Sequence, residues 1–146
     1  MADSALTTVY KAWRAALIAS ETLTALIPAA NIYMGPRRAD QPVPAISITI
    51  FESTQTITQG VRNQKYGYFE NAEATLKIEL AKTNTLSNML AVYDAIYAVL
   101  LQDNATLNAS CKQITKLRKE PESYNERELL EGNLTFGFKY SWYLPA

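Results

Sequence analysis

The stretch GNLTFGFKYSWYL, residues 132–144, decides the fold of this chain. Its large apolar side chains recur at every second position, with small or polar residues between them. The apolar series is Leu134, Phe136, Phe138, Tyr140 and Trp142, and the alternating series is Thr135, Gly137, Lys139 and Ser141. This period of two predicts a β-strand with one buried face. Such a face is stable only beside further strands and beneath covering helices, which the rest of the chain must supply.

Two further strands follow from the same alternation, and a third candidate is weaker. Ile46, Ile48 and Ile50 form one apolar series. A second series runs along residues 72–80, and the polar connection between the two, residues 52–65, is expected to be a long loop. The weaker strand covers residues 107–117, where Ile114 and Leu117 break the alternation and indicate a bulge or an exposed edge.

Two amphipathic helices are predicted from apolar residues at helical spacing. The first stripe is Leu6, Val9, Tyr10, Trp13 and Leu17, and the second is Leu86, Met89, Leu90, Tyr93, Ile96, Tyr97 and Leu100. Ser4 and residues 83–85 are candidate N-caps. A further short helical turn is expected after Ser20, carrying Leu23, Leu26 and Ile27 and ending at Pro28.

The element order is therefore helix, two strands, helix, two strands. We expect an α+β fold in which a small, mainly antiparallel sheet of about four strands packs against two α-helices. The length of 146 residues fits a single domain over residues 1–146.

Composition limits the classes of function. Lysine and arginine number 14, as do aspartate and glutamate, so no general attraction to nucleic acid or to a membrane is expected. Every apolar stretch is shorter than the roughly 20 residues that span a bilayer. The first 20 residues lack a secretory signal pattern, which favours synthesis in a cytoplasm.

Catalytic signatures are absent from the sequence. The chain has no histidine, one cysteine and five glycines, and it contains no nucleotide-binding or nucleophile motif. Glu70 with Glu73, and Glu120 with Glu122, lie in polar surroundings that do not favour acid–base chemistry. We therefore expect no catalytic residues, no cofactor and no metal. Tyr66, Tyr68 and Phe69 beside Lys65 allow a nucleic-acid stacking surface, although core or interface packing is the more common role of such aromatics.

The segment YMGPRRADQPVPAISITIF, residues 33–51, carries three of the six prolines. We interpret its prolines as holding an extended connection that presents two arginines to a partner, while a plain surface crossover remains the alternative. Two other polar segments are candidates for contact: residues 54–65, and the block of residues 112–131 that changes from basic to acidic. The hypothetical interface residues are Arg37, Arg38, Ile57, Val61, Arg62, Lys65, Lys116, Arg118, Glu122 and Glu126.

Four segments together resemble the bacteriophage tail terminators, a tail-completion family. They are VYKAWRAALIAS with LTALIPAANIYMGPRR, the strand QPVPAISITIFES, AEATLKIELAKT with the helix TLSNMLAVYDAIYAVLL, and GNLTFGFKYSWYL. The resemblance implies a structural subunit of a ring, usually a hexamer, that caps the tail tube and joins it to the head.

The partners implied by this resemblance are further copies of the chain, the tail tube protein and a head-connector protein. DNA would pass through the lumen without sequence-specific binding, and the location would be the tail or neck of a virion made in the host cytoplasm. Another neck, connector or minor tail protein is the alternative, followed by a small nucleic-acid-binding module.

Overall fold

The computed structural model describes residues 5–51, 54–57, 66–102, 107, 111–125 and 128–143. Helices α1 (Ala5–Ile18) and α2 (Glu21–Leu26) open the chain, and a 3-10 turn leads into β1 (Ile32–Met34). Strands β2 (Ala45–Phe51), β3 (Thr54–Ile57) and β4 (Tyr66–Leu80) precede α3 (Leu86–Leu100). Strands β5 (Cys111–Lys119), β6 (Ser123–Tyr124) and β7 (Leu130–Tyr143) follow. The α+β class is confirmed.

The described strands form one sheet in the order β1-β2-β4-β7-β5. β7 is antiparallel to β4 from Leu80↔Leu130 to Tyr66↔Tyr143, with one irregularity between Phe69 and Ala72. β3 pairs with the start of β4, and β6 pairs with the start of β7. β1 is the exception to the antiparallel pattern because it runs parallel to β2.

The sheet is larger than the four strands predicted. β1 and β6 are only three and two residues long, too short to show a pattern of their own. β3 lies inside residues 52–65, where a loop was expected, so that expectation is wrong for residues 54–57. These short strands are stabilised by hydrogen bonding to long neighbours rather than by their own apolar residues.

The helices pack on the sheet face that carries the apolar series of β7. The Trp13 ring lies 5.2 Å from Phe138 and 6.0 Å from Phe136 between centroids, and Tyr97 meets Phe136 edge-on at 5.9 Å. Ile46, Ile48, Leu76 and Ile78 are buried in the same core. In the described part of these strands, the alternating apolar side chains face the core, as predicted.

The ends of the helices follow from local chemistry. Ser20 caps α2, since its side chain accepts a hydrogen bond from the backbone N–H of Leu23. Thr85 caps α3 in a capping box with Asn88. The buried stripe of α3 is rotated toward Val92 and Ala95, so Leu86 and Leu90, predicted to be buried, are instead exposed. Leu26, after Ser20, is also exposed.

The predicted bulge in the fifth strand is confirmed. The register between β5 and β7 shifts twice, between Lys112 and Thr115 and between Lys116 and Arg118. Gln113 adopts a left-handed φ of 55° within the first shift. β5 is also the last strand of the sheet path, so the bulges lie on an edge strand, where they discourage pairing with another chain.

Gly132 is required by close packing between β7 and α3. A Cβ at this position would overlap the Tyr93 hydroxyl and would lie 2.9 Å from Met89 Sδ. The Tyr93 hydroxyl is buried and has no hydrogen-bond partner among the described residues. Burial raises the Tyr93 pKa, and the nearby Glu122 carboxylate raises it further.

We expect Gly132→Ala to lower the free energy of unfolding by about 1–3 kcal/mol, because the added methyl overpacks a closed contact. Gly137→Ala is the matched control. Its Cβ would lie 3.2 Å from Cδ1 of Leu117, an exposed side chain that can move. Tyr93→Phe should restore part of the loss in Gly132→Ala. Urea unfolding of the four proteins tests this, and equal losses for the two glycine variants would contradict it.

Candidate assembly surfaces

The connection between β1 and β2 is fastened to the sheet by Arg37. Its Nε lies 2.9 Å from Glu79 Oε1 and its Nη2 lies 3.2 Å from Oε2, a bidentate ion pair. The two side chains are only 6% and 7% exposed. Nη1 also donates to the backbone oxygens of Arg38 and Gln41. The hydrogen bond to Glu79 raises the Arg37 pKa, so the guanidinium stays charged.

Arg37 was predicted to stand beside Arg38 on a ridge open to a partner. The structure corrects this picture, because the Arg37 guanidinium is buried in a contact within the chain. The connection is also not one extended ridge. It turns at residues 38–41, where Gln41 N donates to Arg38 O and Arg38 N donates to Gln41 Oε1.

Glu79 joins this connection to the turn between β6 and β7. Asn125 Nδ2 lies 3.4 Å from Glu79 Oε2 and 3.1 Å from Glu131 Oε1. Lys77 Nζ pairs with the same Glu131 oxygen at 2.9 Å. Two segments that were proposed separately as contact surfaces are therefore held by one carboxylate on β4, and their positions relative to the sheet are coupled.

Arg38 remains on the surface, as predicted. It pairs with Asp40 at 3.5 Å, and the two side chains are 76% and 79% exposed. An exposed pair of this kind contributes little to stability and exchanges easily for another partner. Of the two arginines, Arg38 is the one whose charge a neighbouring molecule can reach.

The charged block on β5 and β6 is mostly paired within the chain. Lys116 Nζ lies 4.5 Å above the Tyr97 ring, and Arg118 reaches Glu73 at 3.7 Å on the opposite side of the sheet. Lys119 pairs with Glu122 at 2.8 Å, which lowers the Glu122 pKa. The alternation of basic and acidic residues therefore produces local ion pairs rather than one basic and one acidic patch.

Five predicted interface residues remain, and the structure describes one of them, Ile57. Ile57 ends β3 and pairs with Gly67. Val61, Arg62, Lys65 and Glu126 lie outside the described residues. The predicted residues that are described therefore fall in three regions, and Glu79 links the first of these, the β1–β2 connection, to the turn after β6.

The sheet face opposite the helices carries two exposed apolar residues, of which the sequence interpretation missed Phe51 and named Leu117 as a sign of a bulge or an exposed edge. They are Phe51, 50% exposed, and Leu117, 48% exposed. Because Phe51 directly follows Ile50, its side chain lies on the face opposite the buried isoleucines of β2. The alternation along β2 could therefore have predicted its exposure. Between the two, Glu73 and Gly137 are paired neighbours on β4 and β7. This strip offers area for contact with another molecule.

A groove runs between α1 and the edge strand β1. Its lining includes Lys11, Arg14, Ile18, Tyr33, Met34 and Gln41. Arg14 is held in place because its Nε donates to Ile32 O at 2.7 Å. Met34 is 48% exposed at the rim. Among the described residues that line the groove, none is acidic, so the groove combines apolar surface with positive charge.

Within the described part of the chain, no group of three or more histidine, cysteine, aspartate or glutamate side chains is placed to hold a metal ion. Over the same part, no helix has both the length and the apolar character needed to cross a bilayer. The surfaces described above combine exposed apolar residues, such as Phe51 and Met34, with charged side chains, such as Arg38.

No protein-family model and no curated protein matches the chain. Among solved structures, the chain is similar to a chain described as the virion of a native gene transfer agent (GTA) particle. The sequence identity is 14% and the TM-score is 0.63, and the match covers 90% of this chain and 93% of that chain. A likeness at this identity shows a shared fold over nearly the whole of both chains.

We expect Arg37→Ala to lower the free energy of unfolding by about 3–5 kcal/mol, because it leaves the buried Glu79 carboxylate without its partner. Arg38→Ala, the matched control one residue away, should cost less than about 0.5 kcal/mol. In the double variant Arg37→Ala/Glu79→Ala, part of the loss should be recovered. Denaturant unfolding measures all three, and similar losses for the two arginine variants would contradict the assignment.

Proposed function

We propose that this chain is a structural subunit of a phage-like virion. The observation that carries the proposal is the shared fold with a chain of the gene transfer agent virion, which extends over 90% of this chain and 93% of that one. Coverage of this extent argues against a small common motif inside an unrelated protein. Fold alone does not imply function, so the surfaces must agree with the role.

The surfaces support this role. The sheet face opposite the helices exposes Phe51 and Leu117, and the groove beside β1 exposes Met34. A subunit of an assembly requires several such contact areas on one small domain, since each neighbour needs its own. We propose that the role is non-catalytic and needs no cofactor.

Within the virion, we propose the tail terminator ring as the position of the chain. This narrower assignment is supported by the sequence resemblance, in which a ring, usually of six copies, caps the tail tube and joins it to the head connector. The partners would be other copies of the chain, the tube protein and a connector protein. DNA would pass through the ring without sequence-specific contacts, which agrees with the formal net charge of zero.

The alternative is another neck, connector or minor tail protein, which would share the fold and the need for contact surfaces. A nucleic-acid-binding module is a weaker candidate. Its support is the series Tyr66, Tyr68 and Phe69, whose side chains lie outside the described part of the structure.

Loss of the gene tests the terminator assignment. A terminator ends polymerisation of the tube, so we expect particles that lack the chain to carry tails of irregular and increased length, measured by negative-stain microscopy. Complementation with the intact gene is the control. Tails of normal length that fail to join heads would favour the connector alternative, and unchanged infectious particles would contradict a virion role.

A further inference from the structure

Two carboxylates face each other on the side of the sheet opposite the helices. Glu79 on β4 and Glu131 on β7 are directly opposite in the antiparallel register. Glu79 is 5% exposed and the Glu131 side chain is 18% exposed, so water reaches the pair poorly. Like charges directly opposite across two strands destabilise the pairing, and more strongly where water is excluded. The pair therefore depends on cations and hydrogen-bond donors that other parts of the chain supply.

Three described groups contact the carboxylate pair, and they come from three segments. Arg37 in the β1–β2 connection makes the bidentate ion pair with Glu79, and Lys77 Nζ on β4 lies 2.9 Å from Glu131 Oε1. The Asn125 amide lies between the two carboxylates, with Nδ2 3.4 Å from Glu79 Oε2 and 3.1 Å from Glu131 Oε1. An amide nitrogen carries two N–H donors, so it can donate to both carboxylates at once. Of the three groups, only Lys77 belongs to a long strand, whereas the other two lie in connecting segments.

The turn after β6 is organised by Asn125. Its side-chain oxygen accepts a hydrogen bond from the Leu129 N–H, and its backbone oxygen accepts one from the Glu128 N–H. Glu128 has a left-handed φ of 62°, which non-glycine residues rarely adopt. The shape of this turn therefore depends on where the Asn125 side chain is held, and the carboxylate pair contacts that side chain.

Arg37 controls the surroundings of the pair. It neutralises Glu79 and helps to exclude water, since the Arg37 side chain is itself only 6% exposed. Without it, two negative charges would face each other with Lys77 as the nearby cation, and water would compete for the carboxylate oxygens. The hydrogen bond from Asn125 to Glu79 is the longest contact of the set, at 3.4 Å. It is therefore the contact that breaks first.

We propose that the pair of Glu79 and Glu131 is a latch that holds the β1–β2 connection and the turn after β6 closed together, so that displacing Arg37 also loosens the turn. A molecule that moves one segment then also moves the other, because coupling between two sites is reciprocal. Both segments are open to such a molecule, since the connection carries Arg38, whose side chain is 76% exposed, and the turn adjoins Tyr124, which is 60% exposed. The latch is a property of the single chain and goes beyond the proposed virion role.

Amide hydrogen exchange of the full chain, followed by NMR spectroscopy, tests the latch. In Arg37→Ala, we expect the Glu128 and Leu129 amides to exchange faster by about tenfold or more, although their own hydrogen bonds are to Asn125. Arg38→Ala is the matched control one residue away. It removes an exposed charge and should leave the exchange of both amides unchanged.

Removal of the facing charge distinguishes a latch from a simple anchor. Glu131→Gln keeps the shape of the side chain and removes the like charge, so in the Arg37→Ala background it should slow exchange of the Leu129 amide by about threefold. Glu73→Gln in the same background is the matched control, because Glu73 lies on the same face of β4 and pairs with Arg118 instead. It should leave the exchange rate unchanged. An Arg37 side chain that only anchored its own connection would make Glu131→Gln equally without effect.

A milder variant keeps the test independent of the stability of Arg37→Ala. Arg37→Lys keeps the charge but loses the bidentate geometry, so it should give a smaller increase in exchange at the same two amides.

Three results would overturn the proposal. The first is unchanged exchange at Glu128 and Leu129 in both Arg37 variants. The second is an equal increase in Arg38→Ala or at the Ser20 amide, which bonds to Leu17 O between α1 and α2 and reports loosening of the whole domain. The third is failure of Glu131→Gln to slow exchange. All of these proteins are measured in isolation, so the outcome is independent of the virion role.

Discussion

The pairing of β4 with β7 is the constraint on which the rest of the structure depends. The two strands run antiparallel from Leu80↔Leu130 to Tyr66↔Tyr143, and every other described strand except β1 pairs with one of them. Because side chains alternate between the two faces, this single register places Leu76, Ile78 and Phe136 under the helices. The same register places Glu73 and Glu79 on the opposite face, which also exposes Phe51 and Leu117. A register shift of one residue would turn the buried apolar side chains to the opposite face and bring the polar side chains under the helices.

The sequence predicts those helices and strands whose own apolar residues recur with a clear helical or alternating period. The alternation in β2, β4 and β7 and the stripes of α1 and α3 are visible without a structure, and the bulged edge strand was recognised from the irregular spacing of Ile114 and Leu117. The short strands β1, β3 and β6 were missed because their stability comes from their neighbours. Leu86 and Leu90 were misplaced because an apolar stripe defines the face of a helix only to within about one residue.

The candidate surfaces could be predicted only in part. The exposure of Arg38 was predicted correctly, whereas the basic-to-acidic block of residues 112–131 forms local ion pairs in its described part. The burial of Arg37 could not be predicted, because its partner Glu79 lies 42 positions away in sequence and meets it only through the sheet. The groove beside β1 was likewise hidden, since it is formed by α1 and a three-residue strand. Surfaces made by two distant segments require the fold to be known first.

The exposed large apolar residues among those described lie both on strands (Met34, Phe51, Leu117 and Tyr124) and on or beside helices (Leu26, Leu86, Leu90 and Leu101). The measurement that tests this account most directly is a cryo-electron microscopy reconstruction of the intact particle that carries the chain. The expected result is a closed ring of this fold at the head-proximal end of the tail tube. A particle without the chain, or a chain present there as isolated copies, would contradict it.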